Sequence, residues 1–128
     1  MSLIDIVLVN TTGEDLYVSG SRGTDFVDLT IGGRVAKGVG TKICQWDPGD
    51  MYVNHWDWIF LGYDQNDLRY QLYMQKTDTG KFYRFMGYYV ENSDRDNGNP
   101  HPFRSGACYL TGWNDAGQWV YVFVGQPD

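Results

Sequence analysis

The sequence predicts an all-β protein: a single-domain antiparallel β-sandwich of about nine strands with negligible helix. Three observations lead there. The acids are fourteen Asp against two Glu, and Asp belongs to turns and loops whereas Glu is a helix former. Sixteen glycines join Asp, Asn, Thr and Ser in turn clusters that punctuate the chain at short, regular intervals. Between those clusters lie segments of strand length, rich in β-branched and aromatic residues.

Taken in order, the strand segments are Leu3–Asn10, Asp15–Ser19, Asp25–Ile31, Thr41–Trp46, Met51–Tyr63, Leu68–Gln75, Lys81–Glu91, Ala107–Trp113 and Gln118–Gly125. The first is closed by the turn Thr11-Thr12-Gly13, and the fourth by Asp47-Pro48-Gly49-Asp50, where Pro presets φ and Gly suits the left-handed position. In Leu68–Gln75, Leu68, Tyr70, Leu72 and Met74 alternate against Arg69, Gln71 and Gln75, which predicts one wet face. The run Trp119-Val120-Tyr121-Val122-Phe123-Val124 is apolar on both faces and belongs inside a sheet. Lys81–Glu91 puts Phe82, Met86, Tyr88 and Val90 on one side and Tyr83, Phe85 and Tyr89 on the other. That second side is either covered by another layer or a ring-lined surface.

The chain has 128 residues, enough for one domain over 1–128 with a core that needs no staples. Its net charge of −6 disfavours nucleic acid and anionic lipid surfaces as partners. No segment has the roughly 18 apolar residues of a transmembrane helix, and Met1–Asn10 lacks the basic region of a secretory signal. The expectation is a soluble protein made in the cytoplasm, with Cys44 and Cys108 as free thiols, at least one of them buried. If its target is extracellular, it leaves by lysis, by a leaderless route, or after removal of a leader.

Catalytic motifs are scarce, and the sequence reads as a non-enzyme. The histidines are His55 and His101, with no nucleophile elbow, P-loop or H-E-x-x-H. His55 and Asp57 share a strand face, which reads as a strand histidine with a carboxylate neighbour. The run Glu91–Asn99 carries oxygen ligands at alternate positions, so Asp94, Asp96 and Asn99 are candidates to hold Ca²⁺, although the EF-hand order is not met. Otherwise no cofactor is expected. Arg34, Lys37 and Lys42 form a modest basic cluster that is either solvated or touches phosphate or sialic acid.

The binding candidates come from the 21 aromatic residues. Rings beside Asp and Asn suit a surface that stacks on a ligand's apolar face and hydrogen-bonds its edge. Trp56, Trp58, Trp113 and Trp119 are the candidate stacking rings, and at least two of them should prove buried. Asp57, Asn114, Asp115 and Gln118 are the candidate polar partners. The expected ligand is a cell-surface glycan or membrane lipid headgroup. The alternative is a structural or assembly protein whose exposed rings contact a second copy or a second protein component.

The opening Ile6-Val7-Leu8-Val9-Asn10-Thr11-Thr12-Gly13-Glu14-Asp15-Leu16-Tyr17-Val18 resembles the N-terminal hairpin of the aegerolysins and, more loosely, of actinoporin-like fruit-body lectins and cytolysins. Size, acidity, aromatic load and the late pair Trp113 and Trp119 are similar too. The resemblance implies a β-sandwich that binds membrane lipids or glycoconjugates, often as one half of a two-component toxin. The run His55–Trp58 and the loop 92–102 have no counterpart in that pattern, nor has the chain an amphipathic N-terminal helix of the pore-forming kind.

Overall fold

The computed structural model describes residues 3–51, 53–90, 95, 98–103, 106–111 and 117–125. These form eleven strands: β1 Ile4–Asn10, β2 Leu16–Arg22, β3 Phe26–Val27, β4 Arg34–Val35, β5 Gly40–Trp46, β6 His55–Gly62, β7 Tyr70–Lys76, β8 Phe82–Tyr88, β9 His101–Pro102, β10 Cys108–Thr111 and β11 Gln118–Phe123. They make a β-sandwich of two sheets, ordered β10-β11-β1-β5-β3 and β4-β2-β6-β7-β8-β9. The two strands beyond the expected nine, β4 and β9, are two-residue pieces at sheet edges.

Alternation builds the core. In β1 the buried positions are Ile4, Ile6, Leu8 and Asn10, as period-2 patterning requires. Facing them from the second sheet are Leu16 and Val18 of β2, Ile59 and Leu61 of β6, and Leu72 and Met74 of β7. At one end the core is aromatic: Trp46 and Trp119 lie 5.2 Å apart, each edge-on to Phe82. Strand β11 is flanked on both sides, by β10 and β1, which agrees with its two apolar faces.

Three expectations need correction. The sandwich is not wholly antiparallel, because β1 runs parallel to β11; strands this far apart in sequence need no tight turn between them. The expected strand Asp25–Ile31 shrinks to Phe26–Val27 because Asp28 takes φ 59°, a left-handed conformation that Asp tolerates and a ladder does not. The expected wet face of Leu68–Gln75 is wet only in part: Arg69 is exposed and Gln75 half-buried, but Gln71 is fully buried, with its Nε2 donating to the Tyr89 hydroxyl at 2.7 Å.

The outer face of the six-stranded sheet carries rings in cross-strand rows. Trp58, Tyr73 and Phe85 pair across β6, β7 and β8 and stack face to face, with interplanar angles of 21° and 20°. Their faces are thereby spent on one another, and a Cβ at Gly98 would touch the Trp58 ring at 3.4 Å. The next row, Trp56, Gln75 and Tyr83, leaves Trp56 and Tyr83 half exposed. Of the two options for this face, one end is ring-lined surface, while Phe60 in the middle is fully buried.

Candidate functional site

A cleft of about 320 Å³ opens where β6 begins, between Gly23–Asp25 on one wall and Asn54–Asp57 on the other. Its floor is held by a chain of polar side chains. Asp57 points inward and is 1 % exposed, and its Oδ2 accepts a hydrogen bond from Trp46 Nε1 at 2.7 Å. Asp25 is its carboxylate neighbour, and Asp25 Oδ2 faces His55 Nδ1 at 3.2 Å. Burial and the neighbouring Asp25 push the Asp57 carboxyl up to about 7, against the pull of the Trp46 N–H and of His55. A carboxyl in low dielectric beside a second carboxylate keeps its proton for that reason.

Local chemistry explains why these groups converge. Gly23, just past β2, takes φ 112°, and a Cβ there would fall on Asp57 Oδ1, so the close approach requires glycine. The turn after β5 behaves as its sequence predicts: Gly49 takes φ 72° and donates its N–H to Asp47 Oδ1. Lys76, buried and paired with His55 across β6 and β7, donates from Nζ to Gly49 O at 2.6 Å and so ties that turn down beside the cleft.

The candidate residues separate. Trp56 is 52 % exposed and lines the cleft. Trp58 is half-buried in the stacked row, so its ring is not free to stack on a ligand. Trp119 is 1 % exposed; it is a core residue rather than a stacking ring, because its face of β11 meets Trp46 and Phe82. Asp57 is likewise no surface acceptor but the buried anchor of the floor. Gln118 is exposed at the start of β11 and does not line the cleft. Trp113, Asn114 and Asp115 lie outside the described residues, so of the four tryptophans one of the three described is fully buried. Asp94 and Asp96 also lie outside them; Asn99 is exposed, and no group of three metal-ligating side chains occurs among the described residues. His101, exposed, stacks on Tyr88.

Sequence reasoning missed Thr24, Asp25 and Asn54. Asp25 stands 30 residues from its partner His55, in a segment that reads as the start of a strand, and only the sheet order brings the two together. The one available signal was the Gly20-Ser21-Arg22-Gly23 cluster, which marks a turn.

Cys44 and Cys108 are free thiols, Cys44 buried and Cys108 half-buried. Burial pushes them up to about 12 and about 11, respectively, so neither is a nucleophile at neutral pH. No helix among the described residues is long and apolar enough to cross a membrane. No protein family model matches the chain, and no curated protein matches it.

Proposed function

We propose that this protein is a non-enzymatic binding module that takes a cell-surface glycan or membrane lipid headgroup at the β6 cleft. The observation that carries the reading is the half-exposed Trp56 beside a polar wall of Thr24, Asp25, Asn54 and His55. The ring offers an apolar face, and the wall offers donors and acceptors for a ligand's edge. Hydrolysis by a carboxyl pair fits poorly, because Asp57 is buried and its carboxyl is held by Trp46 Nε1. The resemblance of Ile6–Val18 to the aegerolysins adds no support, because β1 and β2 lie in different sheets and form no hairpin.

A glycan and lipid array, followed by calorimetry on the hit, tests this. Trp56→Ala should weaken binding by about 1–3 kcal/mol, taking base-on-ring stacking as the calibrated case, and leave the melting temperature within a few degrees. An array without a hit, or a Trp56→Ala protein that binds unchanged, removes the cleft as the site.

Assembly through an edge is the second reading, favoured by one observation. Strand β10 ends the five-stranded sheet and exposes Tyr109 and Leu110 by 55 % and 42 %, and apolar edge strands are templates for a partner strand. Size-exclusion chromatography that gives a monomer in wild type and Leu110→Lys alike would rule it out.

A further inference from the structure

At the other end of β6, β7 and β8 two arginines line a cleft with one tyrosine, and none of the three lines the Trp56 cleft. A cleft of about 180 Å³ lies between the segment 66–69 and the residues just past β8, lined by Arg69, Tyr89 and Arg95. Arg69 and Tyr89 also line an adjoining cleft of about 240 Å³. From β2, Arg22 lies over the Phe60 ring, which itself packs against Tyr89.

Arg69 and Tyr89 are held in place. The Arg69 guanidinium lies 4.6 Å over the Tyr63 ring, with Nε donating to Asp67 Oδ2 at 2.6 Å. Asp67 is the one carboxylate lining either cleft among the described residues, and it is engaged: the same oxygen accepts the Tyr63 N–H at 2.9 Å. Of the acids nearest Arg95 in sequence, Glu91, Asp94 and Asp96 lie outside the described residues. Gln71, fully buried, donates its Nε2 to the Tyr89 oxygen, so the Tyr89 proton is left to be donated elsewhere. Burial pushes the Tyr89 phenol up to about 12 against the pull of Arg22 and Arg95, which keeps that proton in place at neutral pH.

We infer that the Arg69–Tyr89–Arg95 cleft is a binding site for a tetrahedral oxyanion, a phosphate or sulfate ester, with the adjoining cleft receiving the group that bears it. Two guanidinium groups and a phenol lining one cleft supply more donors than one planar group needs, which suits an anion with several acceptor oxygens. A planar carboxylate would instead be met by a single guanidinium fork. The protein's net charge of −6 opposes long-range attraction of anions, so binding here depends on these local donors.

The test is a calorimetric titration of the full chain with inorganic phosphate and with inorganic sulfate at constant ionic strength. Saturable binding is expected, about tenfold weaker in Arg95→Gln and in Arg69→Gln and a few-fold weaker in Tyr89→Phe, in line with charge-assisted and neutral hydrogen bonds. Arg34→Gln, which removes an exposed guanidinium paired with Asp15, should bind as wild type. Trp56→Ala should do so too, which separates this site from the β6 cleft. Glucose 6-phosphate and phosphatidylcholine vesicles carrying phosphatidic acid then compete with inorganic phosphate, and whichever displaces it identifies the source of the ester. Absence of saturable binding, or equal affinity in Arg95→Gln, overturns the site. If Arg69→Gln disturbs folding, Arg95→Gln decides the question, since Arg95 lies outside every strand.

Discussion

The sandwich buries a polar side chain near each end of β1, and the two are treated in opposite ways. At the far end Asn10 is fully buried and satisfied on all sides. Its Nδ2 donates to Glu14 O at 2.8 Å and Val35 O at 3.0 Å, and its Oδ1 accepts from the Thr12 N–H and hydroxyl at 3.1 and 2.6 Å. An amide has two donors and two acceptor sites, so nothing is left over for a ligand or a proton. At the near end Asp57 is just as buried, but its partners Asp25 and His55 line an open cleft, and its proton can leave. A buried polar group closed on itself serves the fold, whereas one wired to a cleft is available for function.

The largest expected effect falls at the closed end. Asn10→Ala strands the carbonyls of Glu14 and Val35 and should cost about 3 kcal/mol or more in urea unfolding, at about 1–3 kcal/mol per unsatisfied buried group. Its cost should not depend on pH; a pH-dependent loss would break the contrast.

Next comes Gly23→Ala. The left-handed φ costs about 1–2 kcal/mol, and the new Cβ displaces the Asp57 carboxyl. The expectation is a destabilised protein whose Trp56 cleft no longer binds. A variant as stable as wild type would mean that Asp57 is not fixed by this contact.

The third effect is the most specific, because it is one of pH. Because the folded protein holds the Asp57 carboxyl near 7, above its unfolded value of about 3.9, the folded state binds the extra proton between those two values. Stability contributed by Asp57 is therefore complete at acid pH, falls as pH rises from about 4 to 7, and levels off above about 8. The wild-type melting temperature minus that of Asp57→Asn should trace that decline, while the same subtraction with Asn10→Ala should be flat. A flat Asp57 difference would mean that the carboxyl ionises normally.

Much of the fold was legible because it rests on local rules. Alternation in Ile4–Asn10, the turn at Asp47–Asp50 and the burial of Cys44 all follow from residues adjacent in sequence. The site was less legible because it rests on pairing. Trp56 and Trp119 sit in equally aromatic segments, and only the sheet order decides that one faces solvent and the other meets Trp46. Gln71 reads as a wet-face residue by alternation, yet Tyr89 covers it from the neighbouring strand. The His55–Asp57 spacing drew attention to the right strand, but the group that completes the array, Asp25, belongs to the opposite wall of the cleft.

The parallel pairing of β1 with β11 has a consequence in time. The five-stranded sheet has β11 between β10 and β1, so β10 has no strand to pair with until the segment Gln118–Phe123 has been synthesised. Until then β1 has one bare edge, and Trp46 lacks the ring of Trp119 against which it packs. Pairings of such sequence separation form slowly, and an apolar strand edge waiting on a ribosome is a place for chaperones or for aggregation. Folding of the β6 cleft floor, which hangs from Trp46, is thus a late event in the life of the chain, well after its own strands have left the tunnel.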